Sequence, residues 1–432
     1  MHTILLTGTM LLSLATVVVT PALGEVIGRA PAASSQPAAA MGGAVGSQVA
    51  AQAAPPMASV IFNDPTGDEE AQNRIADHIR RAVDATPRHG AIRMAAYSFD
   101  RPDIAHALAR ACTRRQVSVQ VVLNDNAVSP SSRRLRRLLG ADADSSRGAC
   151  GTRSGDHEPV PSFVKVCHAS CRLGDRGNQH MKMYLFSASG DTQHVVMLGS
   201  ANLTGYSAGV HWNDLVTFTG SQQLYDDYAR VFDELAADRT VATPGVQVAH
   251  GDVTTSIAPG PSTTPDSDVV AARLARVGCH ALPGTGHAGR TVVRIGMYGW
   301  QGHRGLDLAR RVARLSQQGC RVQALVSAAC PEVVETLLRA GVRVRSASLD
   351  VDGDVATGFE DSGWEHFVHE KWMSVDGTWD GSATRAVWTG SENWSDVSLL
   401  NDEVVVMIPR ARVHDAYVAH FDDIWSRHSK KI

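Results

Sequence analysis

The sequence predicts an α/β layered protein built from two similar, duplicated domains. Three observations carry this. The chain has 432 residues, more than one ordinary core fills, and its 44% apolar and 20% charged residues are those of a globular protein. A strand–helix–strand pattern in the first half returns in the second. Each half then carries a His-x-Lys pair, with a Gly-Ser-x-Asn tetrapeptide after a similar interval.

In chain order, the apolar run Ile4 to Val19, followed by small residues at Ala22 and Gly24, predicts an export signal over residues 1–24. Residues 25–57, dominated from Ala32 onward by Ala, Pro, Gly, Ser and Gln, bury too little to offset their ordering entropy and predict a flexible leader. The first domain is expected over 58–250 and the second over 251–432, with the boundary in the Pro-, Thr- and Gly-rich stretch between Ala236 and Asp266.

The repeat starts where Ile92-Arg93-Met94-Ala95-Ala96-Tyr97-Ser98-Phe99 finds a counterpart in Val293-Arg294-Ile295-Gly296-Met297-Tyr298-Gly299-Trp300. Both are short apolar runs suited to buried strands. Helices are predicted over Pro102 to Arg115 and Gly305 to Gln318, and strands over Val117 to Leu123 and Arg321 to Val326. Val253 to Pro259 reads as a second copy of the opening strand, Val60 to Pro65. Later come His180-Met181-Lys182 and His369-Glu370-Lys371, then Gly199-Ser200-Ala201-Asn202 and Gly390-Ser391-Glu392-Asn393. From histidine to glycine is 19 positions in one half and 21 in the other.

On a strand, residues two apart share a face, so His180 joins Lys182 and His369 joins Lys371. Cleaving a phosphodiester takes a nucleophile, an acid for the departing oxygen, and positive charge on the non-bridging oxygens. Two imidazoles and two ammonium groups supply all three, so neither metal nor cofactor is expected. Asn202 and Asn393 would add neutral donors, with Ser200 and Ser391 as substrate-binding hydroxyls. An acid should hold each imidazole by one nitrogen. Glu403, beside Asp402, is the candidate in the second half and Asp214 in the first, although alternation sends Asp214 and Glu403 to opposite faces unless a bulge intervenes.

These motifs resemble the phospholipase D superfamily, whose signature is His-x-Lys-x4-Asp followed by Gly-Ser-x-Asn. The second copy fits throughout, with Asp376 as the supporting acid, whereas Ser187 stands in the Asp position of the first. The resemblance implies two α-β-α sandwich domains related by a pseudo-twofold axis and one cleft shared by both pairs, with His180 attacking phosphorus to give a phosphohistidine and His369 protonating the leaving alcohol. It implies phospholipid at a membrane surface as partner, with nucleic acid the less favoured one, and a monomeric enzyme, which the export signal makes a secreted one. An extracellular nuclease or an inactive surface-binding relative would share the motifs. A net charge of −3 and the lack of a distinct basic module favour lipid over nucleic acid.

Seven cysteines in an exported chain predict disulfides with at least one thiol over. A bridge from Cys150 to Cys167 or Cys171 is expected; Cys167, His168 and Cys171 also have zinc-ligand spacing, but a single cluster does not complete a site. Ser131 to Leu139 predicts a helix with a solvated basic face. Trp372 and Trp388 are expected in core or cleft strands, and Trp379 at a hairpin turn, either exposed to a membrane interface or covering its own core.

Overall fold

Two sheets of matching strand order organise the molecule. In the first, the order is Met57–Phe62, Asp214–Thr219, Thr192–Gly199, Met183–Ser189, Ala91–Ala96, Ser118–Asn124 and Phe163–Cys167. In the second, it is Val253–Ala258, Glu403–Ile408, Ser382–Gly390, Lys371–Trp379, Val292–Trp300, Arg321–Ala329 and Arg343–Ser346, with Val246–His250 added at one edge. The two opening strands, Met57–Phe62 and Val253–Ala258, occupy the same place and pair antiparallel with their neighbours. Their likeness was legible in the sequence. The structure, a computed structural model, describes residues 56–145, 161–260, 267–354 and 363–432.

Both sheets are mixed. Ala91–Ala96 runs parallel to Ser118–Asn124 and antiparallel to Met183–Ser189, as Val292–Trp300 does with Arg321–Ala329 and Lys371–Trp379. The parallel pairs need helical crossovers, supplied by Pro102–Arg115 and Gly302–Gln317. Proline at the start of Pro102–Arg115 suits the first turn of a helix, where its missing N–H is not needed.

Each half has an outer layer of helices. Ile75, Ile79, Leu108 and Leu135 pack on one sheet, and Leu308, Val312, Val333 and Leu337 on the other. The inner faces share one core, where Phe232 and Tyr228 of Gln222–Ala237 and Tyr417 and Phe421 of Ala411–Arg427 lie among residues of both sheets. This sharing joins the halves, and Gln52–Ile432 form a single compact unit. Met1–Ala51 make the other unit and lie outside the described residues, as do the expected export signal and nearly all of the leader. Among the described residues no helix is long and apolar enough to cross a membrane.

The predicted basic helix is Pro130–Leu139; Arg133, Arg134, Arg136 and Arg137 are exposed, while Leu135 and Leu139 are buried. Trp372 and Trp388 are buried on strands. Trp379 covers its own core, because its indole N–H donates to the Arg273 carbonyl at 3.2 Å and its ring tilts against Trp388.

Disulfides form as expected, but the expected pairing is corrected. Cys167 bonds Cys171 and Cys279 bonds Cys320; Cys112 is also in a disulfide, and Cys330 is a free thiol among the described residues. Cys150 lies outside the described residues, so a bridge from it to Cys167 or Cys171 is excluded by their mutual pairing alone. That pairing also removes them as zinc ligands, and His168 turns outward to Asp125.

Candidate active site

The two His-x-Lys pairs meet where the halves join. Gln179 forms a parallel bridge with Asp402, so the chain ahead of His180 runs beside the chain ahead of Glu403. The counterpart is His366–Val368 beside His211–Trp212, parallel, ahead of His369 and Asn213. The backbone N–H of His180 donates to Asp402 O at 3.1 Å, and that of His369 to Trp212 O at 3.0 Å. Each histidine is thereby aimed at a side chain from the other half.

Those side chains differ. His180 Nδ1 lies 2.9 Å from both carboxylate oxygens of Glu403, whereas His369 Nδ1 lies 3.1 Å from Asn213 Oδ1. A carboxylate only accepts, so Nδ1 of His180 carries the hydrogen. The Asn213 amide N–H groups donate to the Ser207 and His211 carbonyls, which fixes Oδ1 toward His369 and puts the hydrogen on its Nδ1 as well. In both rings Nε2 is left free to react.

Asp214 is therefore not the partner of an imidazole. It is fully buried, and its Oδ2 accepts from Thr389 Oγ1 and Tyr417 Oη at 2.5 Å each. Burial and the nearby Glu370 charge push its carboxyl up. The alternation argument held: Asp214 faces the shared core, and its neighbour Asn213 faces the histidines.

Ser200 and Ser391 explain the register and correct a second expectation. Their hydroxyls are buried and committed to hydrogen bonds within the chain. Ser200 Oγ donates to Asn213 Oδ1 at 3.2 Å and Ser391 Oγ to Glu403 Oε2 at 2.5 Å, while each accepts the next backbone N–H, from Asp214 and Val404. The preceding glycines are needed because a Cβ on Gly199 or Gly390 would overlap the carbonyl of Asp214 or Val404. Gly-Ser thus seats the partner of the other half's histidine. Asn393 turns Oδ1 to the Gly299 N–H at 3.1 Å, and Asn202 Oδ1 is buried without a hydrogen-bond partner among the described residues.

The lysines are buried in pairs with tyrosines that stand at one position of the repeat. Lys182 lies over Tyr97, whose ring also meets His180 edge-on; Lys371 lies over Tyr298, which tilts against His369. Each ammonium donates to the carbonyl of its own motif's histidine. Burial pushes Lys182 down to about 7, opposed by Glu403, and drives Lys371 well below the ordinary lysine value. Burial also lowers both histidines, with Glu403 opposing at His180 and Lys371 adding to the effect at His369. Burial works against the charge of Glu403, but His180, Lys182 and Ser391 outweigh it and hold the carboxyl below its usual range.

Sequence reasoning missed Asn213, the two tyrosines and His211. The tyrosines stood in aligned strings. His211 stacks on His369 with ring centroids 4.6 Å apart, and burial with the Lys371 charge pushes it down to about 3. The middle residues of the motifs, Met181 and Glu370, are buried; Glu370 bridges His420 and the Trp372 indole N–H.

Asp376 and Ser187 lie farther along their strands and do matching work. Asp376 Oδ1 accepts the Gly286 N–H at 2.8 Å and Ser187 Oγ the Ala91 N–H at 2.9 Å. Serine in the aspartate position keeps a backbone acceptor. Among the described residues, the groups spaced to hold a metal are Cys167, Cys171 and Asp238, of which two are in a disulfide, and the exposed Asp350 and Asp352 with the half-buried Glu365. Neither group includes a residue of the His-x-Lys pairs.

Residues 84–236 and 287–425 match the family described as cardiolipin synthase, PLD-like domain. No curated protein matches the chain. Among solved structures, phosphatidylserine synthase of Haemophilus influenzae superposes with a TM-score of 0.56 at 13% identity, over 88% of this chain and 89% of that one. Polyphosphate kinase of Porphyromonas gingivalis gives 0.53 at 14% identity over 85% of this chain, which spans only 50% of the kinase. At these identities the superpositions speak for the fold, and the family match covers both halves of the repeat. This chain belongs to the phospholipase D superfamily, a group of phosphodiesterase and phosphotransferase enzymes.

Proposed function

We propose that the protein is a secreted phospholipase D-type phosphodiesterase, which cleaves glycerophospholipids to phosphatidic acid and a free head group through a phosphohistidine. The observation that supports this most is the unlike pair of partners, Glu403 on His180 and Asn213 on His369.

Attack by His180 Nε2 on phosphorus leaves a positively charged phosphoimidazole, which the Glu403 carboxylate stabilises through Nδ1. The bond to the leaving oxygen breaks as His369 Nε2–H transfers its proton to it. A neutral amide does not hold that proton back as a carboxylate would, so Asn213 suits His369 to the acid role. Arrival of the anionic phosphate offsets the burial that disfavours protonated His369. His369, now neutral, then takes a proton from water, whose oxygen attacks phosphorus and breaks the N–P bond. Lys182 and Lys371, with the Asn202 and Asn393 amides, face the charge on the non-bridging oxygens. One chain supplies both pairs, so a monomer suffices.

The lipid reading is supported by the family's description, the export-signal sequence and the net charge of −3. The test is incubation of mature protein with phosphatidylcholine and ethanol, and separately with DNA. Phosphatidylethanol and phosphatidic acid should form together, in a ratio set by ethanol concentration, since both acceptors attack one intermediate. Shortened DNA without lipid product would replace this reading with a nuclease; intact lipid and intact DNA would replace it with a binding role.

A further inference from the structure

The disulfide-closed turn Cys167–Cys171 touches both stretches of chain that lead into the His180–Glu403 pair. On one side, Ala169 O accepts the N–H of Gln179, the residue before His180, at 3.0 Å. On the other, Ser170 Oγ at 3.0 Å and the Cys171 N–H at 2.8 Å both donate to Oδ2 of Asp402, the residue before Glu403. Asp402 closes the circuit through its backbone, accepting from His180 N and donating to Asn178 O at 2.9 Å.

The turn is itself anchored. Arg172, fully buried, donates to Glu234 Oε2 at 2.8 Å and to the carbonyls of Ala258 and Pro244, so it ties the turn to a helix of the first half and the start of the second. Across the pseudo-twofold axis the matching positions are Val368 before His369 and Trp212 before Asn213, and both are apolar and buried. Among the described residues the polar clamp stands on the side with the carboxylate.

We propose that this turn is a positioning clamp for the His180–Glu403 pair, with Asp402 as the positioning residue. The inference rests on the reading of His180 as nucleophile. Asp402 touches no substrate; it sets where Glu403 lies relative to the imidazole. Groups that orient an acting side chain commonly matter by about 10- to 100-fold.

The variants are Asp402→Ala, Asp402→Asn, Ser170→Ala and the double Cys167→Ser/Cys171→Ser, each in the full chain with intact Cys279–Cys320. Turnover of a soluble phosphodiester and the imidazole N–H resonances of His180 and His369 are measured together. In Asp402→Ala and the double variant, kcat should fall about 10- to 100-fold with KM within about twofold. The His180 Nδ1–H resonance should shift or broaden while that of His369 stays. Asp402→Asn should recover most of the rate, because its amide oxygen can accept both bonds.

A folded double variant with wild-type kcat and an unmoved His180 resonance would overturn the clamp. So would an Asp402→Asn loss as large as that of Asp402→Ala. If the double variant does not fold, Ser170→Ala decides by the same two readouts, since it keeps the disulfide and removes one donor. Should the wild type cleave no phosphodiester, the catalytic reading fails, yet the His180 resonance still tests the clamp by itself.

Discussion

Glu403 reaches across the pseudo-twofold axis to hold Nδ1 of His180, with both carboxylate oxygens 2.9 Å away. Its structural counterpart in the first half is the neutral Asn213. Glu403→Gln keeps the shape and removes the charge, so kcat should fall about 10- to 100-fold with little change in stability. Asn213→Asp should act the other way on His369, raising its basicity and weakening it as an acid. Digests of protein quenched with alkaline denaturant and kept at alkaline pH, analysed by mass spectrometry, should find the phosphoryl group on the His180 peptide in the wild type; finding it on the His369 peptide would reverse the two roles.

His180→Ala and His369→Ala should each nearly abolish turnover while the fold persists. Both act on one phosphorus, so the double variant should be hardly slower than either single one. Additive losses across the three proteins, measured on a soluble diester, would argue against a single shared centre.

The pH profile follows from the buried lysines. Lys182, pushed down to about 7, is charged below that pH and neutral above it. Charge on the non-bridging oxygens is therefore supported at low pH and loses support as pH rises, so kcat/KM should decline through about pH 7. Glu403 opposes the fall of Lys182, and Glu403→Gln should move the decline to lower pH. Lys182→Met should cost about 10²-fold, the scale of a lost transition-state donor.

Asp214 should show its role in stability. Tyr417→Phe removes one of the two hydroxyl donors to its buried Oδ2. Loss of that buried hydrogen bond to a carboxylate should cost about 1–3 kcal/mol, read as a lower denaturation midpoint with kcat unchanged. An unchanged midpoint with a lowered kcat would place Asp214 in the chemistry.

What the sequence disclosed was whatever repeats carried: the strand–helix–strand pattern of each half, the crossover helices and the four motif residues His180, Lys182, His369 and Lys371. Asn213 was hidden by a coincidence of letters. Asn213-Asp214 looks like Asn401-Asp402, and that match shifts the register away from the true equivalence of Asn213 with Glu403. Hydrogen bonding sets the register instead, since the serine of each Gly-Ser-x-Asn reaches 13 residues onward in one half and 12 in the other. The one-residue difference defeats alignment by spacing. The Cys167–Cys171 pairing was obscured for another reason: a loop-closing bridge across a long segment would restrict the unfolded chain more, and entropy of that kind favoured Cys150 as partner.

The exchange of partners across the axis also bears on how such a centre can diverge. In a symmetric dimer of half-length chains, one gene would write both positions, and the two histidines would have to share one kind of neighbour. Joined in a single polypeptide, the two positions are inherited separately. One became Glu403 and the other Asn213, and each can change further without altering its twin.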